Sequence, residues 1–341
     1  MTPILPESGC DTEQDIDPLS PPPPCDAAFD SDPDAWVLSR YADVLAAFRE
    51  PALRLVPREE LSVETAGEAA QQPLRQQVLD AFSSPKWDEW QARIERVADG
   101  LRLEGVVDLV SGFAEPWCAA AAEIVTGSDP ADRESLVAAA RIVSSAAAET
   151  RDENLRLGAS LANAELERYF QGAAIPMAGP TFVALSRTLA CLLASGWLAL
   201  LRHPAELAQL RACPEQTPKA VEEILRYACI PQSVSRWASR DIALRGLKIA
   251  GGDRVILRLA SANRDPLQFS EPNRIDFTRR GAAQLSLGFG AHSCVGAALI
   301  RMTAIAATRV FVEKFGNCRI CSPVAWQGGE AFRSPATLRV Q

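Results

Sequence analysis

The feature that most constrains this chain is a long apolar run with one charge inside it. Between Arg168 and Arg202 the only side chain charged at neutral pH is Arg187, in the stretch ALSRTLACLL. A bare guanidinium in a protein interior costs several kcal/mol, so Arg187 needs an anion. That anion comes either from a neighbouring helix or from a ligand. The run from Ile175 to Leu201 is long enough to cross a membrane, but Arg187 falls near its middle and Pro176 and Pro180 interrupt its first turns. A charge at bilayer depth costs roughly 3 kcal/mol or more. The run is therefore read as a buried helix crossing a large soluble core, with no membrane partner.

The rest of the chain can supply such a core. It has 341 residues, 48% of them hydrophobic and 23% charged, enough for one large core or two ordinary domains. The formal net charge is −8, and no block of Lys and Arg is interleaved with aromatics, so nucleic acid is not an expected partner. The start, MTPILPESGCDTEQD, has neither a basic n-region nor an apolar h-region, and a cytoplasmic location is expected. Nine cysteines at irregular spacing read as mostly buried thiols in a reducing compartment. Cys318 and Cys321 form a CxxC without the second pair that structural zinc requires.

Residues 1–33, with LSPPPPCD, read as a disordered or loosely packed Pro-rich leader, and residues 34–341 as a single domain. From Ala35 the pattern is a short strand and then an amphipathic helix. Helical spacing dominates from Leu74 to Val107 and from Val110 to Phe170, followed by the long apolar helix and a helix over KAVEEILRY. DIALRGLKIAGGDRVILRL alternates around Gly turns and predicts a small antiparallel sheet, while about five helical turns follow Gly296. The fold class expected is mainly α with a small β region.

The loop LSLGFGAHSCVGAALIRM, residues 285–302, sets Gly288, Gly290 and Gly296 around Cys294, before a helix. Glycines allow another body to approach closely. A helix N-terminus favours thiolate, and a thiolate there can ligate haem iron. A tight turn with a buried thiol is the other reading of the cysteine taken alone.

The whole stretch resembles the haem-ligand signature of the cytochrome P450 family, F-G-x-G-x-H-x-C-x-G, with Leu287 where Phe is expected. The resemblance implies a P450 fold, reduced in length, binding haem b (Fe-protoporphyrin IX). Cys294 is then the proximal ligand and His292 a propionate contact. EEILR supplies Glu223 and Arg226, similar to the family's E-x-x-R pair, and SEPNRIDF supplies Arg274 as the third arm of that charge network. Arg236 in SRWASRD and Arg75 in PLRQQVLDAF match propionate-binding positions, with Gln71 where a His is common. Three regions are short against the family: the leader, the loop before Gln71, and the join between the helix ending near Phe170 and the long helix. An open site of this kind admits a bulky substrate, or a carrier or partner protein completes it.

The long helix resembles the family's central helix, whose (A/G)-G-x-(D/E)-T motif relays protons. Counting back without gaps from LALLRHP places Ala184 to Thr188 on that motif. Thr188 matches the alcohol, Arg187 replaces the acid and Leu185 replaces a glycine. Arg does not deprotonate at neutral pH, so it cannot stand in for the acid. Peroxide-using members of the family carry Arg at this position to hold a substrate carboxylate, which fits bidentate recognition. The alternative is that Arg187 pairs with a carboxylate on a neighbouring helix. The family's electron-donor docking face is often basic, whereas here it reads Gln76, Gln77 and Asp80, which fits peroxide use or chemistry that needs no electrons.

Three functional classes follow. The first is a monooxygenase or peroxygenase oxidising an organic substrate, using a ferredoxin and reductase or hydrogen peroxide. The second is a redox-neutral isomerase, dehydratase or cyclase. The third is a non-catalytic haem-binding or recruiting module. Retention of Cys294, Thr188, Arg75, His292 and Arg236 favours the first.

Overall fold

A computed structural model describes residues 19–30, 34–55, 68–82, 86–101, 105–148, 153–281, 283–329 and 331–341; the side chains of Gln71 and His292 are not among the described ones. Among the described residues the α-helices are α1 Tyr41–Arg49, α2 Glu68–Phe82, α3 Lys86–Glu95, α4 Glu115–Thr126, α5 Arg133–Ala148, α6 Glu153–Tyr169, α7 Ala178–Val183, α8 Leu189–Arg202, α9 Pro204–Ala212, α10 Thr217–Tyr227, α11 Leu259–Ala262 and α12 Ala297–Phe315. The strands are β1 Ala28–Asp30, β2 Ala35–Leu38, β3 Leu53–Arg54, β4 Val107–Asp108, β5 Val234–Ala238, β6 Ile242–Leu244, β7 Leu247–Ile249, β8 Arg254–Leu257, β9 Ala325–Gly328, β10 Arg333–Thr337 and β11 Arg339–Val340.

Local chemistry explains the elements that frame the site. In α1, Tyr41, Val44, Ala47 and Phe48 repeat at helical spacing and are buried, and the Tyr41 N–H donates to Asp265 at 2.9 Å. Helix α4 stops at Gly127, whose φ of +74° lets its N–H reach the Glu123 carbonyl. α7 and α8 run on through a wide turn as one central helix, Ala178–Arg202. It is long and apolar enough to span a membrane, yet 83% of its most apolar window is buried inside the protein. A helix apolar on every side fills a core, and neighbours surround this one. Trp197 is fully buried and stacks on Phe113 and Phe311 at 4.7 and 5.0 Å.

Two hydrophobic cores result. The larger is helical and centres on α4, α8, α10 and α12, while the smaller lies against the main sheet and holds Leu38, Val44, Phe48, Val255, Leu257 and Phe269. That sheet has the order β1-β2-β8-β5-β3. The antiparallel pattern expected from the sequence holds for β6–β7 and β5–β8, but β2 pairs with β8 in parallel. Parallel neighbours need a long crossover, and most of the helical body lies between these two strands.

The leader departs from the sequence expectation. From Leu19 onward it is docked, not loose: Leu19 joins the helical core, Pro22 accepts from the Ser261 hydroxyl at 2.8 Å, and β1 pairs with β2. The boundary placed at residue 33 falls inside that hairpin. Residues 1–18 and 31–33 lie outside the described residues.

Gly196 lets α8 pack closely on α10, since an added Cβ there would fall inside the side chain of Ile224. A β-branched side chain has little freedom to yield. Gly196→Ala is expected to cost about 1–3 kcal/mol in denaturant unfolding; an unchanged midpoint would show that the two helices separate freely.

Candidate haem-thiolate site

The site is built around a buried carboxylate. Glu223 and Arg226 lie one turn apart on α10 and are 5% and 2% exposed. Arg226 donates to both Glu223 oxygens at 2.8 Å, and its remaining donors reach the Asn263, Pro272 and Arg274 carbonyls. The pair expected from the sequence is therefore formed. The third arm is a different residue. Arg279 donates from Nε to Glu223 at 2.9 Å, whereas the Arg274 side chain is 62% exposed and pairs with Glu271 on the surface. The segment turns after Pro272 so that the Asp276 N–H also donates to Glu223, and this turn sends Arg274 outward and brings Arg279 in.

The network continues into the cysteine loop. Asn263 donates to the Ser286 hydroxyl and accepts the Leu285 N–H, both at 2.8 Å. Leu285 belongs to the sheet-side core, and Leu287 and Val295 pack against the helical core, so the loop bridges the two. Gly288 and Gly290 have φ of +69° and +61°, angles that side chains rarely adopt. The turn they allow brings the Cys294 N–H to the Leu287 carbonyl at 2.7 Å. A Cβ on Gly296 would stand 3.9 Å from the Cys294 sulfur. Burial pushes the Cys294 thiol above its usual range, while the Gly296 backbone N–H and the Arg75 and Arg301 guanidiniums pull it down.

One cation contacts this loop, and a second lies on the sheet. Arg75 on α2 donates to the Ser293 carbonyl and hydroxyl, each at 2.7 Å. Arg236 on β5 is 6% exposed, donates to its neighbour's carbonyl at Ser235, and lies 5.6 Å from the Phe48 ring centre. No carboxylate pairs with it among the described residues, and burial lowers its pKa. A buried cation without an anion is a costly arrangement unless a ligand brings the anion. Haem brings two propionates, so a thiol with Arg75 nearby and a buried, unpaired Arg236 on the sheet fits that group. The His292 side chain lies outside the described residues.

The central helix carries the residues that the resemblance sets opposite the cysteine loop. Its wide turn, Ala184–Thr188, is π-helical, closed by a bond from the Leu189 N–H to the Ala184 carbonyl, and it covers the five residues that the ungapped register puts on the motif. Thr181, Ala184 and Thr188 form a half-buried face at helical spacing, while Leu185, Leu189 and Leu193 are buried. Arg187 points elsewhere. It ion-pairs with Glu115 at the start of α4, and Glu115 also accepts from Arg141 on α5 at 2.7 Å. Of the two roles open from the sequence, the structure shows the pairing with a neighbouring helix, so the expected hold on a substrate carboxylate is corrected. Below this pair, burial pushes the thiols of Cys118 and Cys191 up.

Arg279, Glu115 and Arg141 were missed by the sequence reading. Arg279 stands two residues after the Phe of SEPNRIDF and carried a weak signal. Glu115 lies 72 residues from Arg187 and carried none.

A family model, Cytochrome P450, matches residues 215–316. Vitamin D(3) 25-hydroxylase of Pseudonocardia autotrophica is 28% identical over 323 residues, covering 82% of this chain and 80% of that protein. Nocardicin C N-oxygenase of Nocardia uniformis subsp. tsuyamanensis is 28% identical over 355 residues, covering 90% and 89%. Among solved structures, P450BioI in complex with an acyl carrier protein ligated to hexadec-9Z-enoic acid superposes with a TM-score of 0.78 at 24% identity, covering 90% of this chain and 92% of that one.

The two candidate third arms can be separated by mutation. Arg279→Gln is expected to lower unfolding stability by about 2–4 kcal/mol because it leaves the buried carboxylate underpaired, and Arg274→Gln by less than about 0.5 kcal/mol, as for exposed pairs. Equal losses would put Arg274 in the network.

Proposed function

We propose that the chain is a member of the cytochrome P450 family and a monooxygenase of an organic substrate, supplied with electrons by a ferredoxin-type donor. Insertion of oxygen is supported by the relatives, a hydroxylase and an N-oxygenase. The observation that favours an electron donor over peroxide is the occupation of Arg187 by Glu115. The peroxide reading needs that guanidinium for a substrate carboxylate, and the protein's own carboxylate already has it. A neutral substrate suits this site better than an acidic one.

Haem b, when bound, supplies the redox centre that activates the oxidant. Cys294 would hold it through sulfur, and Arg75 and Arg236 would hold its propionates by charge-assisted hydrogen bonds. The role of His292 as a third contact rests on the resemblance. On the central helix, Thr188 presents its hydroxyl from the half-buried face and can hold a proton at Oγ1 for delivery to the reaction. Arg187 cannot hand one over, because it stays protonated. The tightly packed Leu185 and Leu189 keep water out of the far side of the helix.

A substrate delivered on a carrier protein is the second reading. It is favoured by the short link, residues 170–177, between α6 and the central helix, and by the carrier-bound structural neighbour.

The test has two stages. The dithionite-reduced protein exposed to carbon monoxide should give the red-shifted Soret band of a thiolate-ligated haem, and Cys294→Ala should lose it; an unchanged band would remove Cys294 as the ligand. Turnover of neutral substrates with ferredoxin and reductase should then exceed peroxide-driven turnover by about tenfold or more, a barrier difference of about 1.4 kcal/mol. Equal or faster peroxide turnover would overturn the electron-donor reading.

A further inference from the structure

Both partners of the Arg187–Glu115 ion pair are delivered by π-helical turns. The Glu115 N–H closes one, Leu109–Ala114, on the Val110 carbonyl, and Arg187 sits inside the other, Ala184–Thr188. Such a turn inserts one residue, so everything after it is rotated by about 100° from where a continuous α-helix would place it. The turn in the central helix therefore sets the rotation at which α8 packs into the core. Little else polar fixes it. Arg187 to Glu115 is the only side-chain hydrogen bond recorded for residues 184–188 among the described residues, and the Ser186 hydroxyl and the Arg187 Nε are buried without partners.

Glu115 is also the point where this turn meets the outer helices. One carboxylate oxygen takes Arg187, whose side chain is 8% exposed, and the other takes Arg141, which is 53% exposed on α5. We propose that Glu115 is a positioning residue. By gripping Arg187 and Arg141 at once, it sets the rotation of the central helix at its wide turn, and with it the direction of the Thr188 hydroxyl, and it ties the α5–α6 hairpin to that setting. In this chain the carboxylate that serves the central helix is therefore contributed by a different helix, α4.

The test reads the turn directly, by amide hydrogen exchange of the holoprotein, and needs no turnover, so failure of this proposal and failure of the oxygenase reading are told apart. Glu115→Gln is expected to speed exchange at the Leu189 amide by about tenfold or more. The double variant Glu115→Arg with Arg187→Glu keeps opposite charges on the two helices and should return exchange at Leu189 to within about threefold of the parent. Imidazole, titrated optically as a probe of the Thr188 side, should bind with altered affinity to the single variant and nearer-parental affinity to the double one. Arg141→Gln, changed on the exposed side, is the control for a fold lost in the buried variants; it should speed the Leu189 amide severalfold. Parental exchange at Leu189 in both Glu115→Gln and Arg141→Gln would overturn the proposal, as would a double variant no better than the single.

Discussion

The site depends on one buried carboxylate. Glu223 accepts Arg226, Arg279 and the Asp276 N–H, and through Arg226 the cluster collects the carbonyls of Asn263, Pro272 and Arg274. Burying so many charges is tolerable only because each is matched. The geometry that results is passed on: Asn263 holds Leu285 and Ser286, and two residues later the Leu287 carbonyl receives the Cys294 N–H. The sulfur is thus positioned from α10 by a chain of hydrogen bonds, while the turn between them is shaped by Gly288 and Gly290.

A second charge system has the opposite polarity from the one in the motif that the central helix resembles. The cation is on the central helix and the carboxylate on α4. This removes the acid from beside Thr188 but leaves the helix equally well anchored. It also uses up the guanidinium that an acidic substrate would need, which is why the neutral-substrate reading and the electron-donor reading stand together. The packing agrees, since the side of the helix bearing Leu185 and Leu189 is closed and the side bearing Thr181, Ala184 and Thr188 is less so.

Much of this was legible in the sequence where the signal was local. The glycine spacing around Cys294, the one-turn spacing of Glu223 and Arg226, and the uniform apolarity of the central helix each follow from a few adjacent residues, and each appears as expected. The reading went astray where distant segments decide. Arg274 and Arg279 are both arginines just past a proline, and only the turn after Pro272 determines which points inward. Glu115 lies in a stretch, FAEPWC, that reads as an ordinary helix start, and its partner is fixed by the packing of α4 on the central helix. The π-helical turns leave no period of their own in so short a window. The Pro-rich leader was judged by composition, but one apolar residue, Leu19, and a short strand are enough to dock its later part.

The cysteine loop is suspended between two cores that are assembled from different parts of the chain, with Leu285 in one and Leu287 and Val295 against the other. Its sulfur has no fixed address until both have condensed. The contacts concerned join residues far apart in sequence, and such contacts form late because loop closure must come first. An intermediate holding only the helical body carries Cys294 as an ordinary thiol on a tether, and one holding only the sheet lacks the central helix. If the loop takes up haem as proposed, a chain with only one core built would lack the site for it, and colour would report completed assembly.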